Sequence, residues 1–145
     1  MDKRTKVVVD TNVVLDVMMN RVPNAVESSD VLRICSSQLS GMITATQTKD
    51  IFFLMERWGK KTPAEAKELI RKLKDNLKVL DVNLKDVNSA LECEMDDYED
   101  ALIAHCGNRH KADYIITRNE NDFKQSPVPA LTPTEFLNEF YSTVK

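Results

Sequence analysis

The sequence predicts an α/β fold built on a mostly parallel sheet, and three observations carry that prediction. The first is a continuous valine run, Lys6-Val7-Val8-Val9, that stops abruptly at Asp10-Thr11-Asn12. A strand without polar alternation is covered on both faces, as in a parallel sheet. The second is alternation, with short apolar strands separated by single helical patterns or by pairs of them along the whole chain. The third is size: 145 residues, 42% hydrophobic and 30% charged, with no internal repeat, low-complexity run or linker, suit one domain spanning residues 1–145.

After the valine run, Val13, Val14, Val17 and Met18 carry the apolar face of a short helix that leaves the strand tip. Arg21-Val22-Pro23-Asn24 breaks it. A second helix covers Ala25 to Leu39, Gly41 closes it, and Met42-Ile43-Thr44-Ala45 forms a second strand. Gln47 to Trp58 reads as an apolar helix stopped by Gly59, with Phe52, Phe53 and Trp58 expected in the core or in a dimer contact. Thr62-Pro63-Ala64-Glu65 combines a capping box with proline at the first helical position and opens a helix to Asn76. Its charges, Lys67-Glu68, Arg71-Lys72 and Lys74-Asp75, read as a solvated face with opposite signs close together.

Leu77 to Val82 alternates like a half-covered strand, and Asn83 caps a helix through Val87 and Leu91. Asp96-Asp97-Tyr98-Glu99-Asp100 leads into the apolar helix Ala101 to Cys106, and Asp113 to Thr117 is the next strand. A polar stretch, Arg118 to Asp122, follows it. Pro127-Val128-Pro129-Ala130-Leu131 suits an edge strand, where proline is tolerated. Thr132-Pro133-Thr134-Glu135 repeats the capping signal and opens a terminal helix through Phe136, Leu137 and Phe140.

The bulk chemistry excludes several function classes. A net charge of −3 is not the footprint of a protein that binds nucleic acid by charge alone, although a bound cation can neutralise an acidic site locally. Cys35, Cys93 and Cys106 are widely spaced with no C-x-x-C pair, and read as small buried hydrophobes of a reducing compartment. Two histidines, His105 and His110, are too few for an ordinary zinc site. The start, Met1-Asp2-Lys3-Arg4, has no apolar signal stretch and no segment is long enough to span a bilayer, so a cytoplasmic location without membrane contact is expected.

Three stretches, taken in order, carry a resemblance: Val8-Val9-Asp10-Thr11-Asn12, then Asp97-Tyr98-Glu99-Asp100-Ala101-Leu102, then Tyr114-Ile115-Ile116-Thr117-Arg118-Asn119 with Asp122-Phe123. Together they resemble the PIN-domain family, a group of metal-dependent ribonucleases that includes the VapC-type toxins, over nearly the whole chain. The resemblance implies acidic side chains gathered at the carboxyl edge of the sheet around Mg²⁺ or Mn²⁺. By position the first acid is Asp10 and the third is Asp100. The second falls on Asp50, where the family usually has glutamate, so that a shorter aspartate binds through a water. The fourth falls on Asn119 in place of the commoner aspartate, and Asp122 is the nearest carboxylate that could replace it.

Elementary chemistry supports such a cluster independently of the family. Magnesium wants oxygen ligands and keeps several waters, so a few carboxylates and a substrate phosphate suit it. Without a cation, carboxylates brought together raise one another's pKa. The all-oxygen set leaves Mg²⁺ and Mn²⁺ open. Thr11 or Thr117 could orient a water or a phosphate oxygen, and Asn12 could fix the strand-to-helix turn and hold an acid by its amide. Arg21, Arg118 and Lys124, near strand ends, are the cations placed to guide a strand of RNA. Structural alternatives stay open beside these roles. Asp10 and Asp97 are natural helix caps, Asp100 could complete a capping box with Asp97, Glu99 belongs to solvent or the rim, Asp50 could be an exposed helix charge, and Asn119 with Asp122 could simply form a turn.

The expected activity is therefore metal-dependent endoribonuclease action on RNA, with an antitoxin protein and a second copy of the chain as the partners the resemblance suggests. The alternative is a degenerate PIN domain that binds RNA or protein without cutting. Phosphatases of the haloacid dehalogenase type also open with a strand ending in aspartate. Their second acid, two residues on, is Asn12 here, which argues against them.

Overall fold

The valine run forms β1 (Lys6–Val9), and Val7, Val8 and Val9 are wholly buried, as a strand covered on both faces requires. In the computed structural model, which describes residues 4–141, β1 is the central strand of a five-stranded parallel sheet. The polar start Met1–Lys3 lies outside the described residues. The other strands are β2 (Ser40–Thr44), β3 (Lys78–Leu80), β4 (Tyr114–Ile116) and β5 (Ala130–Leu131), in the spatial order β3-β2-β1-β4-β5. Val8 lies opposite Met42 on one side and Ile115 on the other, while Ile116 pairs with Leu131 at the far edge. The two strands with the weakest apolar signal, the half-covered β3 and the proline-flanked β5, take the two edges.

This order decides where a site can form. The chain runs outward from β1 through β2 to β3, then returns and places β4 on the opposite side of β1. Loops leaving β1 and β4 must therefore turn to opposite faces, and a crevice opens between their carboxyl ends. Asp10 follows β1 and Thr117 follows β4.

Helices cover both faces of the sheet. On one side lie α1 (Thr11–Met18), α2 (Asn24–Ser37), α3 (Ala45–Arg57) and α4 (Pro63–Asn76), and the side chains of Val7 and Val9 pack with Val13, Val14, Ile34, Ile51 and Leu73. The intervening Val8 points the other way, into a second cluster with Leu102 and Ile103 of α6 (Tyr98–Arg109) and Ala90 of α5 (Leu84–Glu92). The period of two along β1 thus divides the core between the two faces. The terminal helix begins where its capping box predicts, as α7 (Pro133–Phe136). It widens after one turn into a π-helical segment, Leu137–Tyr141, instead of continuing as an α-helix. Among the described residues no helix is long and apolar enough to cross a membrane. Cys35 and Cys106 are buried, and all three cysteines are free.

Two expectations need correction. Gly41 does not close α2. It lies inside β2 opposite Val7, where a Cβ would come within 2.5 Å of the Cys35 Cβ, so its absent side chain lets α2 pack onto the strand. Phe53 and Trp58 are not core residues, being 53% and 55% exposed, and only Phe52 packs partly against the core. The charged face of α4 behaves as expected, with Arg71 Nη1 3.0 Å from Glu68 Oε2.

A polar clamp ties the far end of α6 to the turn after β3. Arg109 Nε and Nη2 reach both oxygens of the buried Asp86, at 2.9 and 3.0 Å, and Nη2 also donates to the Asp81 carbonyl at 2.7 Å. Burial pushes the Asp86 carboxyl up, but the Arg109 bonds and the Asn83 backbone N–H outweigh it and hold the group below its ordinary range. Arg109→Ala would leave that carboxylate buried without its cation. The expected result is a loss of stability, read as a lower midpoint in urea denaturation.

Candidate active site

Asp10 stands at the first position beyond β1 and caps α1, its Oδ1 accepting the Thr11 N–H at 2.8 Å. Its Oδ2 accepts the Thr117 hydroxyl at 2.9 Å across the crevice between β1 and β4. The cap role that the sequence allowed is therefore realised, and it leaves the other carboxylate oxygen facing the crevice. Thr117 is fully buried, and its oxygen also accepts the Asn119 N–H at 3.1 Å. Its one proton is committed to Asp10, so Thr117 could meet a water only as an acceptor. It fixes the Asp10 carboxylate and the start of the next turn. Thr11 is half-buried, and its hydroxyl oxygen accepts from Gln47 Nε2 at 3.3 Å.

Asp100 sits in the first turn of α6, where Asp97 caps the helix by accepting the Asp100 N–H at 3.0 Å. Asp97 thus takes the cap position, as its structural alternative holds. The Asp100 carboxyl is pushed up to about 7 by partial burial first, and then by the negative charges of Asp10, Asp97, Asp122 and Glu99. Asp10 is likewise raised by burial and by Asp122, against the lowering effects of Thr117, Thr11 and Arg118. Glu99 is raised by burial and by Asp50, Asp97 and Asp10, while Lys49 opposes them. The topology therefore gathers one acid from each corner of the crevice: Asp10 after β1, Asp100 with its neighbours on α6, Asp122 after β4, and Asp50 on α3. Asp50 is the outlying member. Its carboxylate lies 3.7 Å from Lys49 Nζ, and its charge is felt at Glu99, at the rim of the group.

Asn119 precedes a short 3₁₀ turn, Glu120–Phe123, without capping it by its side chain. It is exposed beside the crevice, as is Asp122 within that turn. Among the described residues, no three histidine, cysteine, aspartate or glutamate side chains stand together at the spacing of a ready-made metal cage. Asp10 and Asp100 suit a hard cation that takes one or two carboxylates and keeps its waters. The Asp100 carboxyl is raised first by burial and then by its acidic neighbours, and such a cation would relieve the second of these.

Sequence reasoning missed Asp16 and Gln47. Asp16 lies in the apolar run of α1 and is fully buried, with Arg21 Nη2 3.0 Å from Oδ1, Arg118 Nε 2.9 Å from Oδ2 and the Ser28 hydroxyl at 3.2 Å. Oδ1 and Arg118 Nε meet their partners by charge rather than by aligned hydrogen bonds. An aspartate inside an apolar helical face was the available signal. Arg21 and Arg118 are consequently not free to guide RNA, since both hold Asp16. Arg21 also donates to the Asn12 carbonyl and Oδ1, at 3.0 and 3.4 Å, so Asn12 fixes the turn but spends its side chain on a cation, not on an acid. Gln47 completes a capping box with Thr44 and donates from Nε2 to the Val9 carbonyl at 2.8 Å, bracing the strand end that carries Asp10. Its signal was a glutamine three residues after a threonine.

A family model for the PIN domain matches residues 6–121, a span that contains Asp10, Asp50 and Asp100 and stops one residue short of Asp122. The chain belongs to the PIN-domain family. Solved PIN-domain relatives share the fold at low identity. VapBC2 from Rickettsia felis, bound to a DNA fragment from its promoter, superposes with a TM-score of 0.69 at 14% identity, covering 88% of this chain and 98% of that one. A toxin–antitoxin complex from Klebsiella pneumoniae gives 0.66 at 18%, covering 88% and 97%. VapC20 of Mycobacterium tuberculosis, described as a sarcin–ricin-loop cleaving toxin, gives 0.60 at 12%, covering 75% and 86%. Comparison with the curated proteins finds no match.

Within this PIN domain, the Thr117 hydroxyl is the one neutral group bonded across the crevice to Asp10 in the contacts described above. Thr117→Val keeps the volume and removes both hydrogen bonds. The expected result is a loss of metal affinity or activity of about 10–100-fold, with Thr117→Ser near wild type. Mn²⁺ titration of the two variants checks it.

Proposed function

We propose that this PIN domain is a divalent-metal-dependent endoribonuclease. The observation that carries the reading is the Asp10 carboxylate, held by Thr117 and the Thr11 N–H at the switch point and coupled to Asp100 across the crevice. Asp10 and Asp100 would hold Mg²⁺ or Mn²⁺, with Asp50 reaching it through water and Asn119 or Asp122 completing the outer side. A bound cation would supply Lewis-acid chemistry, polarising the scissile phosphodiester and acidifying the attacking water.

The chain's own residues do the positioning. Thr117 and the α1 N-terminus orient Asp10, the Asp97 cap aims the first turn of α6, and Gln47 keeps the end of β1 in register. Arg118, locked on Asp16, sets a positive charge beside Asp10 and tempers its repulsion toward the other acids. The VapBC and toxin–antitoxin relatives extend the reading to partners: an antitoxin protein would hold this chain inactive, and the exposed Phe53 and Trp58 suit a protein contact, a second copy of the chain included. A reducing, cytoplasmic setting goes with such a role.

The test is cleavage of end-labelled, mixed-sequence RNA in Mn²⁺ and in EDTA. Cutting in Mn²⁺ alone supports the reading, and no cutting by the folded protein overturns it. A second reading, a PIN domain that binds RNA or protein without cutting, is favoured by two observations: Asn119 in the fourth acidic position and the lack of a three-carboxylate cage among the described residues. It predicts that the protein fails to bind Mn²⁺.

A further inference from the structure

The acidic crevice repels the polyanion it is proposed to cut, so affinity for RNA must come from elsewhere on the molecule. The chain's cations are unevenly placed. Residues 45–76, the α3–α4 hairpin, hold eight lysines and arginines against five aspartates and glutamates, a net +3 in a chain of net −3. Between the two helices runs a groove of about 410 Å³ lined by Thr48, Lys49 and Phe52 of α3 and by Lys67, Ile70 and Arg71 of α4. Both sets follow helical spacing, so each helix turns one continuous face to the groove. Phe52 and Ile70 form an apolar floor, half-buried, and Lys49, Lys67 and Arg71 form an exposed cationic rim.

We infer that this groove binds a single-stranded stretch of RNA leading into the acidic crevice, a path that rests on the nuclease reading. Lys49 makes the two continuous, since it lines the groove while its Nζ lies 3.7 Å from Asp50 and its charge acts on Glu99. Lys67 makes no ion pair among the described residues. Among the described residues Arg71 is engaged only by Glu68 on the exposed face of α4, a pairing of the kind that contributes little and exchanges readily for phosphate. Cations at the rim match phosphates, and an apolar floor accepts an unpaired base or ribose. A duplex keeps its bases stacked inside and cannot use that floor. Charge complementarity therefore selects a nucleic acid, and the apolar floor selects a single strand.

The experiment measures anisotropy of labelled, mixed-sequence single-stranded RNA in EDTA over a range of salt, so that no cleavage enters. It compares wild type, Lys67→Ala/Arg71→Ala, and Lys78→Ala/Lys85→Ala, which removes equal charge away from the groove. The groove variant is expected to bind at least about tenfold more weakly. Its log–log salt slope should be shallower by about 1.4, roughly 0.7 for each lost phosphate contact. The second variant should match wild type. Equal affinity and slope for wild type and the groove variant would overturn the inference and leave an acidic protein segment as the occupant. Equal losses in both variants, or no measurable binding by wild type, would also overturn it. The nuclease reading is tested separately, by Mn²⁺-dependent hydrolysis of bis(p-nitrophenyl) phosphate, a diester too small to reach the groove. Failure there with groove binding intact would sink the enzyme and spare the RNA site.

Discussion

Asp10→Asn should lower metal-dependent RNA cleavage by more than about 10²-fold while leaving the fold intact. The magnitude follows from position: loss of a group that only supports a metal ligand typically costs about 10–100-fold, and Asp10 is proposed as a ligand itself. The fold should survive because asparagine has the same shape. Its Oδ1 can still accept the Thr11 N–H, and its amide can donate to the Thr117 oxygen in place of the bond it now receives. Stability without metal should even rise, because one of the charges that push up Asp100 is gone. Asp100→Asn should behave alike in both respects. The measurement is initial cleavage rate in saturating Mn²⁺ beside a thermal melt of each variant. A folded Asp10→Asn protein with wild-type, Mn²⁺-dependent activity would remove the proposed centre.

Metal-free protein should lose stability as pH rises from about 5 to 7.5, the reverse of ordinary acid denaturation. The Asp100 carboxyl sits at about 7 in the folded protein against an ordinary 3.8, so between those values the folded state binds the extra proton. Stability falls with pH wherever the folded state is the more protonated. Asp10 and Glu99, both raised, act in the same direction. The contribution is complete below the ordinary carboxylate value and is lost as pH passes 7. Asp86, held low by Arg109, acts oppositely and only in stronger acid, so it does not mask the window. A divalent cation should cancel the effect. At one hundred times its Kd it adds about 2.7 kcal/mol, or roughly 10 °C in Tm for a chain of this size. Melts in EDTA and in Mn²⁺ across that range decide the matter. A Tm that is flat in EDTA and indifferent to Mn²⁺ would show that the acids do not form one coupled group, and Asp100→Asn should flatten the EDTA curve.

The outline of the fold was legible because its signals are local. A run of valines has no exposed face to offer, Thr62 with Pro63 and Glu65 can hardly do anything but start a helix, and Pro127 and Pro129 keep the last strand at an edge. The acids Asp10 and Asp100 were legible for a related reason, since each stands at a strand or helix terminus that the same local chemistry marks. For Phe53 and Trp58 only the core half of the expectation fails, because helical spacing shows that side chains share a face, not what that face meets.

By itself the sequence determined the α/β class, the position of nearly every element, the family resemblance and the acids that carry it. These depend on neighbours within a few residues, where capping, strand propensity and helical period act. Only the tertiary structure decided that Thr117 spends its hydroxyl on Asp10, residues 107 positions apart. It alone showed that the buried Asp16 engages both Arg21 and Arg118, and that Gly41 admits Cys35 against the sheet. The reason is physical. A hydrogen bond or an ion pair that closes across β1 and β4 exists only once the strand order has brought distant segments together, and no local pattern encodes which partner burial will supply.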